Sequence, residues 1–292
     1  FIDILNYKKL NDIVNEIDPE IVFHLAAQPL VLESYNNPLK TLKTNIIGTS
    51  NLLESLKNKE NIKVIIIVTS DKVYQYTKDH KSFKETDQLG GLDLYSASKA
   101  SCEIIINAYK SSFLEKRNIL ISSVRAGNII GGGDWSKNRI IPDVIKSIKH
   151  NKILEIRNAN AVRPWQHVLE PIYGYINLAR KMYLKEVSEV SFNFGPGYKK
   201  KFTVEKMIKI IKKKYPLLRY LILENYSGPV ETSYLTLNIK KARNLLSYNP
   251  YLSFEDTLDK TLDWYKNFYD GADAYKLCIN DIKNYEKKYK NN

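Results

Sequence analysis

The chain has 292 residues, 43% of them hydrophobic and 26% charged, with two cysteines and a net charge of +13. Such a composition excludes a disordered polymer, a disulfide scaffold and a cysteine-built zinc site, and the length suits about two domains. With no apolar run of about 18 residues and no signal peptide after Phe1, the expectation is a cytoplasmic protein with no membrane partner, processed or incomplete at its start.

Taken in chain order, the predicted elements alternate between strand and helix. IVFHLAA (21–27), KVIIIVTS (63–70) and ILISSVRAGNII (119–130) are continuous apolar runs rich in Ile and Val. Strands covered on both faces have this pattern. PLKTLKTNIIGTSNLLESLK (38–57) sets Leu42, Ile46, Thr49, Leu53 and Leu56 at helical spacing, with Pro38 near the start, where its missing N–H costs least. A second long helix is expected from Tyr95 to Lys116. The alternation predicts an α/β fold with a doubly wound parallel sheet.

After residue 131 the rhythm changes. GGGDW (131–135) reads as a mobile loop, followed by helices over 141–150, 167–184, 202–215 and 253–269 and a short strand, VSFNFG (190–195). The last of these helices opens on Ser253 with Asp256 three residues on, a capping-box variant. The lysine-rich tail (276–292) reads as a solvated terminal helix. The expected division is a first domain of 1–131 with part of 165–195, and a smaller C-terminal α/β substrate-binding part of 132–164 and 196–292.

The positive charge is dispersed over nearly every helical segment and no zinc-finger or RNP-type motif accompanies it, so no nucleic-acid partner is expected. The arginines are more informative. Only 8 arginines stand against 37 lysines, none before residue 101, yet Arg125, Arg139, Arg157 and Arg163 fall within 39 residues. A planar bidentate donor suits phosphate oxygens, so this window is a candidate site for a phosphorylated ligand.

Tyr95 and Lys99 stand four apart on the second long helix and share a face. An ammonium beside a phenol favours the phenolate, which makes a base for hydride-transfer chemistry. The strand 63–70 ends in Thr69 and Ser70, followed by Asp71 and Lys72. A hydroxyl, a carboxylate and an amine at the carboxyl end of a parallel strand suit acid–base work. Ala26 and Ala27 end the strand 21–27 with small side chains that let a cofactor approach the backbone. His24, His80, His150 and His167 have no metal-ligand spacing, and no metal is expected.

Several segments carry a resemblance: HLAAQPLVLESYNNPLKTLKTNIIGTSNLLES (24–55), VTSDKVY (68–74), LGGLDLYSASKA (89–100), RAGNIIGGGDW (125–135) and RPWQHVLEP (163–171). Together they resemble the extended short-chain dehydrogenase/reductase superfamily, of Rossmann-type fold, and within it the CDP-glucose 4,6-dehydratases. The resemblance implies a lyase that uses bound NAD for an internal redox reaction, converting CDP-glucose to CDP-4-keto-6-deoxyglucose for cell-surface sugar biosynthesis. Tyr95, supported by Lys99, would take the C4 hydroxyl proton, and Ser70 would hydrogen-bond the C4 oxygen. Asp71 would protonate the departing C6 hydroxyl, while Lys72 would help remove the C5 proton or stabilise the enolate. Asp3, Ile4, Leu25, Ala26, Ala27, Gln28, Thr69, Tyr95 and Lys99 would contact the cofactor. Asn128, Arg139 and Arg163 would hold the nucleotide diphosphate and His167 would line the substrate site, with Arg157 a lesser candidate. The superfamily also implies a homodimer through helices 38–57 and 95–116. Alternatives are another sugar-nucleotide 4,6-dehydratase or epimerase, and an inactive truncated remnant.

Members of the superfamily begin with a strand, a glycine-rich GxxGxxG turn and a helix whose N-terminus receives the NAD pyrophosphate. No such motif precedes Asp3 and Ile4, so a doubly wound layout implies that about 60 residues are absent. On that account the strand 21–27 would be a bare edge, and the chain would bind NAD poorly until the segment were restored.

Overall fold

The computed structural model describes residues 1–198, 200–224, 226, 228 and 232–289. From the N-terminus come α1 (Tyr7–Ile17), β1 (Ile21–His24), α2 (Val31–Asn36), α3 (Pro38–Leu42), α4 (Gly48–Leu56), β2 (Val64–Val68), α5 (Leu94–Tyr109) and β3 (Leu120–Ala126). They are followed by β4 (Ile129–Ile130), α6 (Ile140–Lys149), β5 (Ile153–Ile156), β6 (Val162–Arg163), β7 (Gln166–His167), α7 (Leu169–Tyr183) and β8 (Ser191–Phe194). The remainder is β9 (Phe202–Thr203), α8 (Val204–Lys214), β10 (Arg219–Ile222), α9 (Lys240–Leu246), α10 (Phe254–Tyr269) and α11 (Ala274–Tyr289). Over the described residues the chain divides into two units, one of Phe1–Ala126, Gly174–Phe194 and Pro229–Tyr248, the other of Gly127–Tyr173, Gly195–Gly228 and Asn249–Asn292.

The first unit is built on a four-stranded parallel sheet in the order β1-β2-β3-β8. Val64 of β2 pairs with Ile21 on one side and Leu120 on the other. Its four apolar residues Val64–Ile67 are fully buried, which is why the strand reads as an unbroken apolar run. β1 stands at the sheet edge, with Ile21, Phe23 and Leu25 exposed and His24 buried. It ends at His24 rather than at residue 27. Beyond it the Asn45 side chain claims the Gln28 backbone, accepting from its N–H at 2.8 Å and donating to its carbonyl at 3.1 Å.

The helix expected over 38–57 is one run with a π turn, Lys43–Ile47, between α3 and α4. A π turn inserts one extra residue and so rotates the rest of the helix about its axis. Thr41 and Asn45 therefore take the buried face where Leu42 and Ile46 were expected, while Thr49, Leu53 and Leu56 are buried as predicted. After α5 a second π turn (Lys110–Leu114) and a 3₁₀ turn (Glu115–Arg117) end at Asn118 in a left-handed conformation, φ 56°.

The strand expected over 119–130 is two strands, since β3 stops at Ala126 and β4 belongs to the second unit. Gly127 lies at the break, where a Cβ would run into the Pro164 ring. The second unit holds three two-stranded ladders, β4 with β7 and β5 with β10 parallel, β6 with β9 antiparallel. Its core gathers Trp165, Phe202, Phe254, Leu258, Leu262 and Tyr265. The capping box at α10 forms as expected, with the Ser253 hydroxyl accepting from the Asp256 N–H at 3.0 Å. The tail helix α11 is not wholly solvated: Tyr285 is buried and its hydroxyl donates to Glu170 Oε2 at 3.0 Å. The last three residues of that tail, 290–292, lie outside the described residues. The GGGDW segment, expected to be mobile, is pinned. The Tyr265 hydroxyl donates to the Asp134 carbonyl at 2.6 Å, and the Asp134 carboxylate accepts from Ser136 and Arg139.

Candidate active site

Helix α5 is started by Asp93, whose carboxylate accepts from the Ser96 N–H at 2.9 Å. This cap fixes the first turn, and with it Tyr95. Tyr95 and Lys99 are both buried on one face of the helix. Lys99 Nζ donates to the carbonyl of Val68, the last residue of β2, at 3.1 Å. Burial pulls the Lys99 ammonium below its ordinary range, while the neighbouring Cys102 and Glu103 oppose that pull.

The chain leaves β2 through Thr69 and Ser70 into a 3₁₀ turn, Asp71–Val73, against which α5 packs. The Ser70 hydroxyl accepts from the Lys72 N–H at 3.2 Å, capping the turn, and donates to Asp71 Oδ1 at 3.2 Å. Lys72 Nζ lies 3.5 Å from the same oxygen. The other oxygen, Oδ2, is buried with no hydrogen-bond partner among the described residues. A buried carboxyl with one free oxygen is costly unless a ligand uses it. The helix that carries Tyr95 and Lys99 thus packs on the turn that carries Asp71 and Lys72, with Lys99 held at the end of β2.

Sequence reasoning missed the group beneath them. Glu103, one turn beyond Lys99 on the same face of α5, is almost fully buried. Its Oε1 accepts from the Thr69 hydroxyl at 2.5 Å and from Arg125 Nε at 2.9 Å. Its Oε2 accepts from the Ser123 hydroxyl at 2.6 Å and from Arg125 Nη2 at 2.8 Å. Burial works against the Arg125 charge, but the Glu103 contacts outweigh it and raise the guanidinium above its ordinary range. Arg125 therefore leaves the arginine group assigned to a phosphorylated ligand; it is an internal strut of the first unit. The available signal was spacing, an acid at i+4 from Lys99 and i+8 from Tyr95.

Asn45 was missed too. The π turn aims it inward, where it holds Gln28 and donates to the Ser98 hydroxyl of α5 at 2.9 Å. Gln28 is occupied internally, with Nε2 donating to Thr41 at 2.7 Å and Oε1 accepting from the Leu30 N–H at 2.6 Å. The Thr69 hydroxyl is likewise engaged by Glu103. Leu25 and Ala26 are exposed and Ala27 half-buried just past the end of β1, the two alanines placing short side chains at the carboxyl edge of the sheet. Asp3 is exposed and accepts from the Leu5 N–H at 2.9 Å; the half-buried Ile4 packs at Gly48, where a Cβ would run into its side chain.

Asn128, Arg139, Arg157, Arg163 and His167 belong to the second unit. Asn128 follows Gly127, and its side-chain Oδ1 is buried without a partner among the described residues. Arg163 is buried, with Nη1 donating to the Val162 carbonyl at 3.0 Å. Arg139 pairs with Asp134 at 3.2 Å, and Arg157 donates to the Asn138 carbonyl at 3.0 Å. His167 is buried in β7, and burial, helped by the Lys260 charge, lowers it to about 4. Among the described residues no cluster of side chains could hold a metal ion, and no helix is long and apolar enough to cross a membrane.

A family model for GDP-mannose 4,6 dehydratase matches residues 1–261. The chain is 39% identical over 290 residues to a CDP-glucose 4,6-dehydratase of Salmonella typhimurium, covering 97% of this chain and 80% of that relative. It is 26% identical to a UDP-glucose 4-epimerase of Mycoplasma genitalium, covering 93% and 83%. Among solved structures, a UDP-glucuronic acid 4-epimerase of Bacillus cereus with UDP-glucuronic acid and NAD superposes with a TM-score of 0.78 at 24% identity, covering 92% of this chain and 81% of that one. A dTDP-glucose 4,6-dehydratase of Bacillus anthracis in complex with NAD gives 0.74 at 24% identity, covering 91% and 78%. At that identity the structural likeness establishes the fold, the α/β parallel-sheet architecture read from the sequence. With nine-tenths of its length matched by the family model, the chain belongs to the GDP-mannose 4,6 dehydratase family.

Proposed function

We propose that this protein is an NAD-dependent lyase converting CDP-glucose to CDP-4-keto-6-deoxyglucose. The observation that carries the reading is Asp71, a buried carboxyl with one unused oxygen beside Lys72, under the helix that carries Tyr95 and Lys99. A C4 epimerisation needs the phenol–amine pair alone; loss of the C6 hydroxyl also needs an acid, and Asp71 supplies one. The 39% identity to a CDP-glucose 4,6-dehydratase supports the same substrate.

The residues present fit NAD. The small side chains of Ala26 and Ala27 lie at the carboxyl end of a parallel strand, where ligands of such sheets bind, and Lys99 is held at the next strand end. Bound there, NAD would supply the hydride chemistry, with a hydride accepted from C4 and given back at C6. Tyr95 takes the proton of the C4 hydroxyl, and the Lys99 ammonium favours the phenolate that does so. The resulting ketone acidifies C5–H. Lys72 serves as the base for the C5 proton while Asp71 gives a proton to the C6 hydroxyl, which leaves as water; Lys72 then returns its proton to C5 as C6 is reduced, and the proton held by Tyr95 replaces the one Asp71 has spent. Ser70, bonded to Asp71 Oδ1, reaches the C4 oxygen only by turning its hydroxyl. Asn128, Arg139 and Arg163 hold the diphosphate, with His167 beside the sugar and Arg157 in a lesser role.

The test is turnover of CDP-, dTDP-, GDP- and UDP-glucose with NAD, with products resolved by mass and NMR. The expected product is the 4-keto-6-deoxy sugar from CDP-glucose. Preference for another nucleotide, or a C4 epimer without loss of water, overturns the reading.

The assembly that accompanies this function is a homodimer through helices 38–57 and 95–116. Leu39, Ile47, Ile104 and Phe113 support it, since these large apolar side chains on those two stretches are 69%, 50%, 62% and 41% exposed. An Ile104→Arg variant is expected to elute as a monomer on light-scattering chromatography where the unaltered protein elutes as a dimer. A monomeric unaltered protein removes the proposal. Both described cysteines are free, in keeping with work in a reducing cytoplasm.

A further inference from the structure

The 3₁₀ turn Asp71–Val73 is tied at both flanks to one buried ion pair. Before it, the Thr69 hydroxyl donates to Glu103; after it, the Tyr74 hydroxyl accepts from Arg125 Nη1 at 2.9 Å. Glu103 and Arg125 join each other through two parallel N–H···O contacts, a bidentate geometry that fixes direction as well as distance. Glu103 is also the next residue along the Tyr95–Lys99 face of α5. The far side is closed by Asn193, which accepts from the Tyr74 hydroxyl at 2.5 Å and donates to the Phe83 carbonyl at 2.9 Å. Tyr74 is held neutral by burial, so it works as a hydroxyl, and its ring stacks on Phe83 at 4.9 Å.

Resting on the function proposed above, we infer that Glu103 and Arg125 are positioning residues that set the acid of the dehydration step, Asp71, against the Tyr95–Lys99 pair of the oxidation step. They touch neither substrate nor cofactor. The redox pair sits on α5 itself, whereas Asp71 depends on its two flanks. Loosening the flanks therefore harms water loss more than C4 oxidation. A misplacement of about 1 Å can cost about a hundredfold in rate.

Three variants test this. Glu103→Gln removes the charge. Glu103→Met with Arg125→Met removes both charges at once, a replacement that buried ion pairs often tolerate without loss of stability. Tyr74→Phe cuts only the rear flank and keeps the ring stack. The readouts are NADH absorbance in the steady state, kcat and KM for CDP-glucose, and hydrogen exchange of the peptide spanning 69–74. The expected result is kcat down at least about tenfold for the Met pair with KM within about twofold, NADH accumulating during turnover, and faster exchange at 69–74. Tyr74→Phe is expected to change each readout in the same direction and by less. A Met pair or a Tyr74→Phe protein with unaltered turnover, no NADH accumulation and unaltered exchange at 69–74 overturns the inference. An equal fall of oxidation and dehydration does so too, because it marks general damage. Failure of the unaltered protein to act on CDP-glucose strikes the function instead, and the exchange measurement still decides the positioning claim.

Discussion

At the scale of single residues, the assignment separates two kinds of acid–base group that ordinary inactivation would not. Asp71→Asn keeps the shape of the side chain but has no proton to give. Product formation is expected to fall by about 10²–10⁴-fold, the range of a lost general acid, while C4 oxidation persists and NADH accumulates. Tyr95→Phe removes the base, so neither NADH nor product should form; stopped-flow absorbance with product analysis distinguishes the two outcomes. Retained dehydration in Asp71→Asn would sink the assignment. The placement of Tyr95 and Lys99 on one face of α5, and of Asp71 and Lys72 in the turn after β2, was legible in the sequence from helical spacing and strand-end position. The place of Glu103 was not, since an acid on a helix ordinarily faces water, and its four donors come from positions 69, 123 and 125. Arg125 misled for the converse reason: arginine enrichment records a demand for bidentate donors without saying whether the acceptor is a ligand or the protein's own carboxylate.

At the scale of elements, strand and helix order was legible because buried parallel strands and amphipathic helices carry different periods. The positions where a period breaks were not legible. The π turn at Lys43–Ile47 shifts the buried face by one residue, and no local pattern in KTNII announces it. The GGGDW stretch shows the same limit. Three glycines suggest freedom, yet a Cβ at Gly132 would run into the Trp264 indole, which is itself buried in the core of the second unit. Here glycine permits close packing rather than motion. Gly132→Ala is accordingly expected to destabilise the protein by about 1–3 kcal/mol, the usual range for overpacking. Ser253→Ala, which removes the α10 cap, should cost about 1 kcal/mol. Thermal or denaturant unfolding reads both. A neutral Gly132→Ala would mean that the indole can retreat.

At the scale of the whole molecule, acid stability follows from two histidines, one in each unit. Burial, with the charge of Lys99 adding to it, lowers His24 from 6.5 to about 4, and its ring Nε2 lies 3.0 Å from the Thr49 hydroxyl. His167 is lowered from 6.5 to about 4 by burial and then by Lys260. Both are neutral when folded and take up a proton more readily when unfolded. Between those two values the unfolded chain binds more protons, so stability rises with pH and is lost as pH falls from about 6.5 towards about 4. At about 1.4 kcal/mol per pH unit, each histidine contributes about 3 kcal/mol to that loss by the bottom of the window. The net charge of +13 counts the histidines as neutral, so protonation adds to an existing excess and self-repulsion acts in the same direction. Unfolding midpoints measured from pH 7 to pH 4 should therefore drop steeply, and a His24→Gln, His167→Gln double variant should flatten the drop, since glutamine offers polar atoms but cannot charge. An equally steep fall in the double variant would show that the acid sensitivity does not come from these two histidines.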